Sequence, residues 1–230
     1  MNKRGYKLTN QATVFVQGGP QRAYKDITEK IFEAQDVYKI VGSVDDADIV
    51  VWTGGQDIYP RLYNEEPLNS TYYTLERDKY DLKVLEKAVA KNKFLVGICR
   101  GAQLLNVIPN NGKLWQDVDN HGSGYHKVYD VLSQTWINTN SVHHQMMKPG
   151  PQAEIVAYTN KSTYRKSEGM LLKSPYLEGS TIEIERNKDI EVLYYAGTKS
   201  LLVQFHPEFG HKETTDYFFE LMERKFFRLI

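Results

Sequence analysis

Lys93-Phe94-Leu95-Val96-Gly97-Ile98-Cys99-Arg100-Gly101-Ala102-Gln103-Leu104-Leu105 is the stretch that decides the reading of this chain. An apolar run stops at Gly-Ile-Cys-Arg-Gly and passes at once into a helix-like pattern. That is the strand, sharp turn, helix layout of a nucleophile elbow, with cysteine in the place that serine often holds. So tight a turn leaves no room for a side chain at Gly97 or Gly101. Cys99 then stands at a helix N-terminus, where unpaired N–H groups and the helix dipole favour a thiolate. Taken alone, a single cysteine also reads as a buried core residue; the two flanking glycines weigh against that.

Upstream, Thr13-Val14-Phe15-Val16 reads as a first strand closed by Gln17-Gly18-Gly19-Pro20, a turn that a ligand could also use. Residues 24–35 place Ile27, Ile31 and Ala34 at helical spacing, and 37–41 read as a second strand. Asp48-Ile49-Val50-Val51-Trp52-Thr53 is a compact apolar run of the kind buried on both faces of a parallel sheet, stopped by Gly54-Gly55. Residues 76–92 return to helix, with Leu82, Leu85 and Val89 on one stripe. Strand and helix in alternation predict a parallel sheet with helices on both faces. Beyond Asn120 the pattern changes to hairpin-like pieces, including Thr181-Ile182-Glu183-Ile184-Glu185 and Glu191-Val192-Leu193-Tyr194-Tyr195. Leu201-Leu202-Val203-Gln204-Phe205 resumes a buried strand, and a last helix over 213–227 packs through Tyr217, Leu221 and Phe226. No internal repeat or linker interrupts the chain, so residues 1–230 are expected to form a single domain.

Composition narrows the classes of function. Lys+Arg and Asp+Glu are both 29, a balance that gives no reason to expect nucleic acid or an anionic membrane as partner. The first ten residues lack the apolar core of a signal peptide, and apolar runs stop at about six residues against the roughly 20 that span a bilayer. One cysteine allows no intrachain disulfide, which fits a reducing compartment and leaves the thiol free. A cytoplasmic protein is expected.

A cysteine nucleophile needs a base, and the base needs a group to orient it. Of six histidines, His206 ends an apolar strand, at the sheet edge where ligands of α/β proteins bind. Glu208 follows two residues later, so in an extended segment both side chains point the same way, and Pro207 favours that geometry. The bland alternative is a strand end with a surface carboxylate. Acyl transfer also needs oxyanion donors. The backbone N–H of Arg100 is one candidate, and Gly55 of the Gly54-Gly55 turn is the other.

With Gly97-Ile98-Cys99-Arg100-Gly101-Ala102-Gln103 and His206-Pro207-Glu208 in place, the chain resembles the class I glutamine amidotransferase superfamily, and within it the γ-glutamyl hydrolase branch, peptidase group C26. Four further stretches are similar to that branch: Gly54-Gly55-Gln56-Asp57-Ile58-Tyr59-Pro60-Arg61-Leu62-Tyr63, the Arg77-Asp78 pair, Gly112-Lys113-Leu114-Trp115-Gln116-Asp117, and Asn140-Ser141-Val142-His143-His144-Gln145. The first 50 residues match poorly, and residues 158–175 have no counterpart.

The resemblance implies an α/β fold, a doubly wound, mostly parallel, flavodoxin-like sheet with helices on both faces, plus a small antiparallel segment in the C-terminal half. It implies a Cys99–His206–Glu208 triad that forms a glutamyl thioester from glutamine or a γ-glutamyl amine. Gln103, one helical turn past Cys99, would contact the glutamyl end of the substrate with Ser141 and His143; His143 also reads as a structural histidine. No metal and no cofactor are expected. The partners expected are a small-molecule γ-glutamyl substrate and, in a second version, a separate synthetase that accepts ammonia. A non-catalytic member of the fold is the third reading.

Overall fold

The described residues of the computed structural model are 11–19, 22–173 and 188–227; the strand expected over 181–185 lies outside them. In chain order they form β1 (Ala12–Gln17), α1 (Arg22–Glu33), β2 (Tyr38–Ile40), β3 (Ile49–Trp52), α2 (Leu75–Ala90), β4 (Phe94–Ile98) and α3 (Arg100–Val107). Then come β5 (Lys113–Trp115), β6 (Asp117–Val118), β7 (Tyr125–Asp130), β8 (Thr135–Asn140), β9 (Met146–Lys148), β10 (Glu154–Thr159), β11 (Tyr164–Ser167), β12 (Met170–Lys173), β13 (Asp189–Tyr195), β14 (Ser200–Val203) and α4 (Lys212–Met222), which runs into a π-helical turn at Glu223–Phe227.

A nine-stranded sheet in the order β2-β1-β3-β4-β14-β13-β10-β7-β8 carries the fold. From β2 to β14 neighbouring strands are parallel, the order of a doubly wound flavodoxin-like sheet. Beyond β14 the pairs are antiparallel. The antiparallel portion therefore extends the main sheet, and two small sheets, β12-β11-β6 and β5-β9, accompany it.

The unbroken apolar run of β3 follows from this layering. Ile49 and Val51 enter a core cluster with Phe32 of α1 and Phe218 and Leu221 of α4, whereas Val50 and Trp52 face Leu85 of α2 and Leu104 and Leu105 of α3. A strand covered on both faces has no polar side to show. No helix among the described residues is long and apolar enough to cross a membrane.

Two helix faces differ from expectation. On α1, Thr28 and Phe32 are buried while Ala34 is exposed. On α2, Leu85 is buried, but Val89 is exposed and the buried face continues through Arg77, Asp78 and Asp81. An apolar stripe misses this face because its N-terminal half is ionic. Asp81 accepts from Arg77 Nε at 2.9 Å, from Gln17 Nε2 at 3.0 Å and from Arg100, while Arg100 also pairs with Asp78. These groups sit beneath the end of the parallel strands that carries Cys99. A buried charge stripped of its partner is costly, on the order of 3–5 kcal/mol. Asp81→Ala is therefore expected to lose about 3–5 kcal/mol in urea denaturation, while Glu86→Ala on the exposed side of the same helix shifts stability by no more than about 0.5 kcal/mol.

Candidate active site

Register brings the site together. Trp52 of β3 lies opposite Gly97 of β4, and Ile98 lies opposite Val203 of β14, so three parallel strands end side by side. The segments that follow them supply Gly54-Gly55, Cys99 and His206. Cys99 has φ 49° and ψ −108°, a backbone conformation seldom adopted by a residue with a side chain. The flanking glycines permit it. A Cβ on Gly97 would lie 2.4 Å from the Ala102 nitrogen, and one on Gly101 would lie 2.2 Å from the Trp52 carbonyl oxygen. The collision expected at these two positions is thus present at both.

The structure brings Cys99, His206 and Glu208 together. Cys99 lies close enough to His206 for its sulfur to raise the pKa of the imidazole, and His206 Nδ1 lies 2.7 Å from Glu208 Oε1. All three residues are buried, the Glu208 carboxyl completely. The local geometry differs from the extended segment expected. Pro207–Phe209 is a short 3₁₀ turn, because Pro207 is preset for a first helical position, and the turn folds Glu208 back under His206. Burial by itself pulls the His206 imidazole down, but the neighbouring Cys99 sulfur and the Glu208 carboxylate outweigh it and push the pKa up to about 10. The ring therefore favours its protonated form.

Four neighbours surround His206, one on its backbone and three against its ring, and local sequence marks none of them for the task. Asn140, at the end of β8, donates from Nδ2 to the His206 carbonyl at 2.7 Å and accepts the His206 N–H on Oδ1 at 2.8 Å. Phe209 stacks on the imidazole at 4.3 Å with an interplanar angle of 5°. Gly54 lies against the ring, since a Cβ there would stand 2.6 Å from His206 Cε1. Tyr24 of α1 sits 6.2 Å from the ring centroid, and burial together with the charges of Cys99 and Glu208 raises its pKa, so it stays a neutral phenol.

Gly55 has φ +148° and packs beside the side chains of Arg100 and Arg77. Arg77 also donates to Thr53 Oγ1 at 3.2 Å, so the ionic network under the elbow fixes the Gly54-Gly55 loop. The amide of Arg100, as the first residue of α3, belongs to the N–H groups that a helix leaves without an internal partner. Its guanidinium does separate work as an anchor of the buried network.

Gln103, Ser141 and His143 have protein partners. Gln103 donates from Nε2 to the Gln145 carbonyl at 3.2 Å, and His143 meets the same oxygen through Nδ1 at 2.9 Å. Ser141 donates to the His121 carbonyl at 2.9 Å. Ser141 and His143 thus join a second buried cluster, built on His121, His126, Asp189 and Glu191. His126 Nε2 is 2.8 Å from Glu191 Oε1, and His121 Nε2 is 3.2 Å from Asp189 Oδ2. Burial lowers the His121 pKa, but hydrogen bonds to Asp189 and Glu191 overcome this and raise it to about 9. For His143 burial prevails and lowers the pKa to about 3, so the imidazole is neutral. Among the described residues, His121, His126 and Glu191 have donor atoms close enough to share a metal ion. The signal for this cluster was two alternations, His126 with Val128 and Asp189 with Glu191, each pair facing one side of its strand.

Comparison with known proteins agrees with this architecture. The family model for Peptidase C26 matches residues 29–131. The chain is 30% identical over 195 residues to Protein NtpR of Enterococcus hirae, covering 75% of this chain and 71% of NtpR. It is also 30% identical over 173 residues to a Mycobacterium tuberculosis protein that carries the name "Putative glutamine amidotransferase Rv2859c", covering 73% of this chain and 53% of that one. In fold it is similar to the glutaminase domain of Trypanosoma brucei CTPS with bound acivicin, with a TM-score of 0.55 and 13% identity over 93% of each chain. The chain belongs to the class I glutamine amidotransferase-like superfamily, with peptidase C26 as the matching family. That membership supports a glutaminase-type amidohydrolase role.

The raised pKa of His206 has a consequence for stability. Because the folded value lies above the ordinary 6.5, the stabilising contribution of this group is complete below about pH 6.5 and disappears as pH rises through about 10. In a histidine-detected NMR titration, His206 is expected to stay protonated well above pH 7 in the wild type. In Cys99→Ala, with the neighbouring sulfur removed, its midpoint is expected to move back toward 6.5.

Proposed function

We propose that the protein hydrolyses a γ-glutamyl amide bond through a glutamyl thioester on Cys99. The observation that carries this reading is a cysteine held in a strained elbow beside an imidazole whose Nδ1 is engaged by a buried carboxylate. The Cys99 sulfur attacks the γ-carbonyl carbon, and the oxygen takes up negative charge facing the N–H groups of Arg100 and Gly55. His206, charged at the outset, gives its proton to the leaving amine as the C–N bond breaks. It then takes a proton from water as the water attacks the thioester, and the C–S bond breaks to release glutamate and leave the Cys99 thiolate beside protonated His206. Glu208 keeps Nδ1 occupied, so that the other nitrogen serves the reaction. The chain works in this reading as one domain spanning residues 1–230, in the cytoplasm, and its substrate is a small molecule. Gln103, Ser141 and His143 are taken as neighbours of the glutamyl end.

Cys99→Ala is expected to reduce turnover of glutamine and of γ-glutamyl amines to background, a loss on the order of 10⁴-fold or more, with the circular dichroism spectrum unchanged. Intact-mass analysis of the wild type quenched in acid during turnover should show one covalent glutamyl group, absent in the variant. A wild type that never acquires that adduct from any γ-glutamyl donor would remove this reading.

A second version is favoured by the fold likeness to a CTPS glutaminase domain. Here the same thioester chemistry supplies ammonia to a separate synthetase. It predicts weak glutaminase activity in the isolated chain, raised at least tenfold by a partner fraction from extract. High activity of the isolated chain on γ-glutamyl amines, unchanged by extract, favours the free-standing hydrolase.

A further inference from the structure

The buried histidine cluster behind the active site has features that the chemistry at Cys99 does not use. Four side chains converge there from separate parts of the chain: His121 before β7, His126 on β7, His143 after β8 and Glu191 on β13. All are buried, the Glu191 carboxylate and the His121 imidazole completely. Two of the converging atoms, His143 Nε2 and Glu191 Oε2, have no hydrogen-bond partner. Such atoms are rare inside proteins and call for an explanation.

We infer that His121, His126 and Glu191, whose donor atoms lie within 4.8 Å of one another, form a binding site for a divalent transition-metal ion of the zinc class, with His143, whose unpartnered Nε2 stands 3.9 Å from Glu191 Oε1, drawn in as the fourth ligand. Ligand spacing supports this. With bonds of about 2.0–2.1 Å, the donor atoms around a tetrahedral zinc stand roughly 3.4 Å apart. Here Glu191 Oε1 lies 3.4 Å from His121 Nδ1, 2.8 Å from His126 Nε2 and 3.9 Å from His143 Nε2, distances that straddle that value. Three imidazoles and one carboxylate are a donor set suited to zinc.

The surrounding hydrogen bonds agree. A metal-bound histidine usually donates its other N–H to a carboxylate or a carbonyl, which fixes the tautomer. His121 directs Nε2 to Asp189, and Asp189 is held in turn by Arg165 at 2.7 Å and by the Ser162 N–H at 2.8 Å. His143 directs Nδ1 to the Gln145 carbonyl. In both rings the other nitrogen is turned toward Glu191; His143 Nε2 has no partner, and His121 Nδ1 also has the Ser141 hydroxyl 3.4 Å away. Charge points the same way. Among the described residues the groups within ion-pairing range of Glu191 are imidazoles, so without an ion its buried charge is met by the His121 proton and not by a permanent cation of the kind that Arg165 gives Asp189. A dication supplies one.

The test uses the full-length chain carrying Cys99→Ser, so that the thiol cannot bind metal, with the wild type run alongside. After dialysis against a chelator, Co²⁺ is titrated in and its visible absorption recorded, and zinc content after re-loading is measured by mass spectrometry. One equivalent per chain with the strong visible bands of four-coordinate Co²⁺, together with a raised Tm, is the expected result. His143→Gln should weaken binding at least tenfold, and Asp189→Asn, which touches no donor atom of the ion, by about 10–100-fold. No stoichiometric uptake and no change in Tm with Co²⁺ or Zn²⁺ overturns the proposal, as does one equivalent bound undiminished by His143→Gln. Should His143→Gln not fold, the uptake, spectrum and Tm of the Cys99→Ser chain decide the matter alone.

Discussion

The structure depends on how closely the turn after β4 approaches β3. A Cβ on Gly101 would fall 2.2 Å from the Trp52 carbonyl, so the first turn of α3 lies directly on the neighbouring strand. That contact forces Cys99 into a left-handed backbone conformation and aims its side chain out of the sheet edge. Strain of this kind persists only where the surroundings determine it completely. Here they do so twice, through the β4 ladder on both sides and through the ionic network that ties Arg100 to α2. The apolar core fixes the height of the elbow, and the buried charges fix its rotation.

Those charges carry a cost that the geometry offsets. Asp81 is fully buried and takes hydrogen bonds from two arginines and a glutamine, so its negative charge is shared rather than left bare. The arrangement adds little net stability over an apolar core of the same shape, and it restricts the alternatives. Arg77 and Arg100 can satisfy Asp78, Asp81 and Thr53 together only with the Gly54-Gly55 loop in place, and Gly54 in turn lies against His206.

Local sequence carried the elbow, the parallel strands and the His206–Glu208 pair, because each is marked within a few residues: an apolar run, a pair of glycines, a proline between two polar groups. What stayed hidden depends on distant pairing. Asn140 and His206 stand 66 residues apart and meet only because the antiparallel strands extend the main sheet back toward the site. The buried face of α2 was misread because three of its residues are charged, and hydrophobic periodicity has no way to register a buried ion pair. His143 and Ser141 were assigned to substrate through a resemblance of motif, while their hydrogen bonds run to Gln145 and His121.

One backbone atom connects the two polar centres. The Gln145 carbonyl faces Gln103 from the helix that begins at Cys99, Gln204 from the segment that ends at His206, and His143 from the histidine cluster. A carbonyl has two lone pairs, so three neighbours at 2.9–3.2 Å compete for it, and a shift in any one of them is felt by the other two. The side-chain amide of Gln145 is itself buried without a partner, which leaves the backbone as its only firm attachment. Whatever holds His143 therefore holds the Gln145 carbonyl. Through that oxygen it sets where the elbow helix and the His206 strand stand relative to each other. The acid–base pair and the histidine cluster are two ends of one polar frame, and the rigidity of the first rests on how completely the second is satisfied.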